Sequence, residues 1–415
     1  MRLPTRDDFL LEPDLVFLNH GSYGATPRVV MERYQALQTT MERNPVEWLG
    51  RRSDAMMAEA RAELGDFVGA SADDLVFFPN PTTAINMVAH NLHLQPGDQV
   101  VTTDHEYGAM DRTWRKYCAE SGAEYIRVPI PLPVTTEADF IDRVWSAVTP
   151  RTRVLFLSQL TSATALVFPV HELCRRARTA GVLSIVDGAH VPAHLPLDLR
   201  TLECDIYTGA LHKWLGAPKG STFLFARPEV QPMLLPLVVS WGWESDAPSD
   251  SQFIDHHQWQ GTRDLSPFLA VGAAIEFVRA HDWAAVQAEG HRRAMYARRS
   301  INELTGLASI SPDVPSDGHE WIGQLVAVRL PDTIDVISLK ARLFEEYRVE
   351  VPVHRWADQP IIRVSCAAYT TDADVDALVG ALGELVSASF ARPSGSVAAH
   401  GRSTRHHHPR GRAAR

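Results

Sequence analysis

Residues 184–214 read SIVDGAHVPAHLPLDLRTLECDIYTGALHKW. The apolar run Val182-Leu183-Ser184-Ile185-Val186 stops on an acid, Asp187, and a second run stops near a lysine, Lys213, set among small and apolar residues. Desolvating either charge is costly unless something uses it. The site therefore has to be sought where these two runs end.

Working outward, strand-like and helix-like stretches alternate. QVVTT (99–103) precedes GAMDRTWRKYCAES, EYIRVPI precedes EADFIDRVWSAVT, RVLFLS (153–158) precedes VHELCRRARTAG, VLSIVD follows, and STFLFA (221–226) reads as a further buried strand. This alternation predicts βαβ units and a mostly parallel sheet flanked by helices. Upstream, Pro27 opens a helical pattern to about Arg43, and a second runs from about Arg51 to Val68. Downstream, helical patterns cover about 265–281 and 283–304. Strands (QLVAVRL, IIRVSC) then mix with helices (VISLKARLFEEY, DADVDALVGALGELVSAS). The predicted organisation is an N-terminal arm over 1–26, a large α/β domain over 27–304, a smaller α+β domain over 305–390 and a disordered tail over 391–415. The tail segment GRSTRHHHPRGRAAR has nothing to build a core from.

The 415 residues are 45% hydrophobic and 22% charged, and carry a net charge of −10. That balance argues against a nucleic-acid partner. Cys118, Cys174, Cys204 and Cys366 show no metal-ligand spacing, so no metal site is expected. The N-terminus lacks the apolar core of a signal peptide, and no run is long enough to cross a bilayer. A cytoplasmic protein is expected. His90, His93 and His256-His257 read as ordinary histidines. Lys219 in GAPKGS lacks phosphate-loop spacing, and GSYG lacks that of a hydrolase elbow.

Three predicted strand ends are polar: Thr102-Thr103-Asp104-His105, Ser158-Gln159 and Asp187. Ligands of open α/β sheets bind outside such ends. In FFPNPTTAIN (77–86), Pro81-Thr82-Thr83 looks like a first helical turn, whose free N–H groups and hydroxyls suit an anion, although taken alone the stretch reads more simply as a plain Thr N-cap. A carboxylate that pairs with a pyridinium, a desolvated lysine that forms a Schiff base and a helix N-terminus that holds phosphate together describe pyridoxal 5′-phosphate (PLP).

The chain resembles the fold-type I PLP enzymes of the class V aminotransferase family, in the isopenicillin N epimerase-like group. The likeness runs through FLNHGSYGATPR, NPTTAIN, DHEYGAMDRTW, LTSATALVFPV, VDGAH, GALHKWLGAPKGSTFL, QGTRD and IIRVSCAAYTTDADVDAL in order. It implies roles residue by residue. Lys213 would carry the Schiff base and Asp187 would pair with the pyridinium. His190 and Ser162 would contact the phenolate side, and Thr82, Thr83 and His212 the phosphate. His105 would stack on the ring, unless Tyr107 does so. Thr262 would reach the phosphate of a neighbouring subunit, which implies a homodimer with active sites at the interface. Arg363 would clamp the α-carboxylate of a small amino-acid substrate, with Asn19, His20 and Ser22 near the entrance.

The cysteine desulfurases of this group need a nucleophilic Cys shortly before the carboxylate arginine, and YRVEVPVHRWADQPIIR has none. The expectation is an enzyme working at the α-carbon. β-Elimination from a cysteine S-conjugate, in the manner of the C–S lyases of natural-product pathways, stands slightly ahead of epimerisation. Decarboxylation, oxidative deamination or transamination stands behind them. A non-catalytic relative of the fold is the reading from another class, and the intact Lys213, Asp187 and Thr82-Thr83 set argues against it. The substrate is not named by the sequence.

Overall fold

The computed structural model describes residues 2–314 and 316–390, with backbone only for 387–390. The expected tail over 391–415 lies outside the described residues.

The strands are β1 (Val16–Phe17), β2 (Leu75–Phe78), β3 (Gln99–Thr103), β4 (Glu124–Val128), β5 (Thr152–Ser158), β6 (Leu183–Asp187), β7 (Ile206–Ala210), β8 (Thr222–Ala226), β9 (Leu325–Arg329), β10 (Val349–Glu350), β11 (Val353–Trp356) and β12 (Gln359–Ser365). Seven form the central sheet in the order β2-β8-β7-β6-β5-β3-β4. The β4-β3-β5-β6-β7 part is parallel, and β8 runs antiparallel to both β7 and β2. Successive strand residues point to opposite faces. Accordingly Phe77, Val101, Leu155, Leu157 and Val186 enter one apolar core, while Val76, Phe78, Val100, Val154, Phe156 and Ile185 enter the other. Burial on both faces explains why these strands read as continuous apolar runs.

The main helices are α1 (Arg28–Arg43), α2 (Ser53–Val68), α3 (Pro81–Asn91), α4 (Gly108–Ser121), α5 (Glu137–Ser146), α6 (Val170–Ala180), α7 (Val271–Ala280), α8 (Trp283–Thr305), α9 (Val336–Tyr347) and α10 (Asp372–Phe390). Two expected boundaries move. The stretch 265–281 is two helices, Ser266–Leu269 and α7, separated at Ala270. The helix expected from Arg51 begins at Ser53, after a wide turn over Trp48–Arg52. The segment before NPTT also proves to be part of the main sheet, as its edge strand β2.

After α8, a three-stranded antiparallel sheet in the order β11-β12-β9 packs with α8 and α9, and α10 lies against those two helices and β1. The N-terminal arm is stitched to this region. β1 pairs in parallel with β10, Ser365 N–H donates to Leu18 O at 2.9 Å, and Gly21 N–H donates to Ser365 Oγ at 3.0 Å. These bonds carry residues 20–26 over the carboxyl ends of the central strands.

Candidate active site

A cavity of about 260 Å³ opens at those strand ends. Ser158 closes β5 and Asp187 closes β6, directly opposite each other in register. Lys213 follows β7 and Tyr107 opens α4 after β3, so the two enter from turns three strand positions apart, with the Ser158 and Asp187 strands between them. Thr82 comes from the first turn of α3, Ser22 and Tyr23 from the arm, and Arg363 from β12.

Asp187 is buried, and its hydrogen bond from the chain is donated by Ala189 N–H at 2.9 Å. Burial raises its pKa, against the pull of that amide and of Lys213. Lys213 Nζ lies 3.1 Å from His190 Nε2. Trp214 Nε1–H donates to His190 Nδ1 at 3.3 Å, so a neutral His190 carries its proton on Nε2 and donates it to Lys213. That arrangement needs the free amine. Burial lowers Lys213 to about 8 and holds His190 well below its usual range, in the same direction. The sequence thus sets a nucleophilic amine beside a carboxylate in a solvent-poor pocket.

The arm covers this lysine at van der Waals limits. A Cβ on Gly24 would stand 2.0 Å from the Lys213 carbonyl oxygen, so only glycine passes there. Lys219, which sequence reasoning set aside, holds the crossing by donating to Gly24 O and to Thr26 Oγ1.

Arg363 is 6% exposed and forms no ion pair among the described residues. Its guanidinium is held by Ser162 O, by Ser162 Oγ at 3.2 Å and by Ser22 Oγ at 2.8 Å. Burial lowers its pKa to about 10. A fork so placed is a ready partner for a carboxylate.

At the anion end, Asn80 is the N-cap of α3. Its Oδ1 accepts from Thr83 N–H at 2.8 Å and from Thr83 Oγ1 at 3.0 Å. Thr83 is therefore engaged by the cap and does not line the cavity, whereas Thr82 does. The cap is Asn80, not a threonine. His212 lines the cavity, and its Nδ1 lies 2.8 Å from Ser221 O; burial lowers it to about 4.

Other expected positions differ. His105 does not reach the cavity. It is buried, with Nδ1 2.7 Å from Thr164 Oγ1, Nε2 3.0 Å from Ile130 O, and its ring 4.3 Å from that of Trp356. Its chain neighbour two residues on, Tyr107, is 47% exposed and lines the wall. The reason is the turn after β3: Thr103 Oγ1 accepts from His105 N–H and donates to Glu106, which aims His105 inward. Asn19 and His20 also point away, Asn19 to Glu350 and His20 to Tyr369, leaving Ser22 at the cavity. Thr262 is exposed and outside this cavity. No group of side chains among the described residues is arranged to hold a metal ion.

The donor set fits PLP: a free amine for an aldehyde, a buried carboxylate with an oxygen left open for a pyridinium, and a capped helix start for a phosphate. Comparison with known proteins agrees. The aminotransferase class-V family model matches residues 16–378. Isopenicillin N epimerase of Amycolatopsis lactamdurans is 35% identical over 92% of this chain and 97% of its own length. That of Streptomyces clavuligerus is 34% identical over the same shares. A probable chloroplastic L-cysteine desulfhydrase of Arabidopsis thaliana is 26% identical over 91% of this chain and 84% of its own. Among solved structures, a variant of C-DES with glycine covalently linked to its PLP cofactor superimposes with a TM-score of 0.81 at 21% identity, covering 92% of this chain and 99% of that one. The cysteine desulfurase CsdA of Escherichia coli gives 0.77 at 23%, covering 92% and 98%. With its fold-type I architecture and a site built for pyridoxal phosphate, the chain belongs to the aminotransferase class-V family of PLP-dependent enzymes.

Proposed function

We propose that the enzyme removes the α-proton of an amino acid and expels a thiol from its β-carbon, acting as a C–S lyase on a cysteine S-conjugate. The observation that carries the amino-acid reading is Arg363, a buried guanidinium without a carboxylate of its own, lining the same cavity as Lys213. The bound cofactor supplies the electron sink that makes the Cα–H bond acidic. Arg363 holds the substrate carboxylate by its fork and so fixes the orientation of Cα. Asp187 keeps a negative charge at the pyridine end. Thr82, with the first turn of α3, takes the phosphate. His212 serves there only as a protonated ring, because its Nδ1 is spent on Ser221; a phosphate dianion favours that form. Lys213, as the free amine, accepts the α-proton while the thiolate leaves Cβ, and the released enamine takes up water to give pyruvate and ammonia. One base suffices for this outcome, and His105, a candidate second acid, is out of reach. The four cysteines are buried and none lines the cavity, so persulfide transfer has no nucleophile among the described residues.

Epimerisation is the second reading. Two curated relatives at 34–35% identity carry that name, and Tyr107 or Tyr23 could return a proton from another side of Cα. One incubation separates the readings. Pyruvate and free thiol from cysteine conjugates support elimination. Inverted stereochemistry with α-deuterium uptake and no pyruvate refutes it in favour of epimerisation.

We further propose a cytoplasmic homodimer. Exposed Thr262 and the exposed apolar stretch containing Leu237, Val238, Val239 and Trp241 offer the surface for a second copy. The buried, unpaired cysteines suit a reducing compartment, and no helix among the described residues is long and apolar enough to cross a membrane. A monomer by light scattering in PLP-loaded protein would refute the dimer.

A further inference from the structure

Behind the cavity floor lies a carboxyl group without a part in the chemistry above. Glu106 follows β3 and is 9% exposed. Its Oε1 accepts from Thr103 Oγ1 at 2.8 Å. Its Oε2 accepts from Ser158 N–H at 2.9 Å and from Ser158 Oγ at 2.6 Å. Ser158 in turn lines the cavity and sits in register with Asp187. Buried acids are rare without a cation, and none pairs with this one among the described residues. The groups acting on it are Ser158 from β5, Thr103 from β3 and Asp187 from β6, and it acts in turn on Tyr125 of β4. Burial pushes Glu106 up to about 7, the Ser158 and Thr103 hydroxyls pull it back, and Asp187 repels its charge.

We propose that Glu106 is a positioning residue that, through the Ser158 hydroxyl, sets the charge and hydrogen bonding of Asp187 at the pyridine end of the cofactor. It rests on the assignment of Asp187 to the pyridinium. Ionised, Glu106 takes both donors of Ser158. The hydroxyl proton then points away from the cavity, and a second negative charge stands behind Asp187. Protonated, Glu106 donates to Ser158 Oγ, and the serine proton turns toward the cavity, where Asp187 is the neighbouring acceptor. The two arrangements differ by one proton taken up from solvent. Nothing about the fold demands an acid here: a glutamine would fill the same volume and bond the same serine.

The test is a pH titration of the visible absorption of PLP-loaded protein between about pH 6 and 9, read beside the melting curve and PLP affinity. In Glu106→Gln the midpoint should fall by about one pH unit, because the negative charge that favours the protonated chromophore is gone. Ser158→Ala keeps the acid but removes its 2.6 Å hydrogen bond. The acid is then more often neutral, and the midpoint should move the same way by less. An unchanged midpoint in Glu106→Gln that melts normally and binds PLP overturns the proposal. Should Glu106→Gln fail to fold, an unchanged midpoint in Ser158→Ala does so. Asp187→Asn is the reference. A chromophore indifferent to Asp187→Asn means the Asp187 assignment itself is wrong. One that responds to Asp187→Asn and not to Glu106→Gln means only this proposal is wrong.

Discussion

Removing the Arg363 charge should leave stability unchanged or raised while it destroys substrate binding. Its pKa falls from 12.5 to about 10 through burial, which corresponds to roughly 3 kcal/mol spent on holding a bare cation in the pocket. The sign is that of a cation whose folded-state pKa is depressed. The penalty is fully present at every pH below the folded value, neutral pH included. Arg363→Met removes the charge and its hydrogen bonds to Ser162 and Ser22, each worth about 1 kcal/mol. The apoprotein should then be about as stable as wild type, or more stable by up to roughly 3 kcal/mol. Substrate binding should collapse, since a carboxylate desolvated without its partner costs about 2–5 kcal/mol, or about 30- to 5,000-fold in KM. Arg363→Lys keeps the charge and loses the fork. It should retain the yellow of bound PLP and lose about 10²-fold in kcat/KM. The assays are thermal melting of apoprotein, PLP absorbance, and turnover of any α-amino acid the wild type consumes. Destabilisation of Arg363→Met by more than about 2 kcal/mol would mark the guanidinium as a structural strut. Normal turnover by Arg363→Lys would pass the carboxylate role to another group, with Arg355 first to be examined.

Lys213→Ala should abolish turnover and the visible band while the protein melts cooperatively; an active variant with the wild-type spectrum refutes the assignment. Asp187→Asn should keep PLP and cost about 10²-fold or more in rate, and unchanged turnover would make it a structural strand-end acid. His105→Ala should leave the PLP spectrum intact but cost about 1–3 kcal/mol, because Thr164 and Ile130 lose buried partners; a lost spectrum with normal stability would return His105 to the cofactor. His194 is fixed in a neutral form: Gln324 N–H donates to its Nε2, and its Nδ1 donates to His190 O. Burial holds it at about 3 against an ordinary 6.5. Below the unfolded value the unfolded chain binds the extra proton, so stability falls as pH drops from 6.5 toward 3. His194→Gln should flatten that fall by about 1.4 kcal/mol per pH unit; an acid limb identical to wild type refutes it.

Much of the architecture follows from local chemistry. The runs QVVTT, RVLFLS and VLSIVD are short, nearly continuous in their apolar residues and bounded by turn residues, the pattern of strands buried on both faces. An acid closing one of them announces a use for charge, because desolvation is paid in any fold. Lys213 and Asp187 could therefore be picked from the chain by number. Local chemistry does not say which way a short turn aims its side chains. His105 and Tyr107 are two residues apart, and the sequence favoured the histidine. The Thr103–Glu106–Ser158 bonds, between residues of different strands, turn the histidine into the core and the tyrosine into the cavity. Asn80 capping α3 in place of a threonine was within reach of the sequence, since asparagine before Pro81 is itself a strong helix start. Gly24 was not, because its need for no side chain arises from the Lys213 carbonyl, 189 residues away in the chain. Residue type and periodicity determined which charges had to be used and on what kind of sheet. Which side chains share the cavity was decided only by the register of Ser158 against Asp187 and the path of the arm across Lys213, since direction and distance between remote segments are properties of packing.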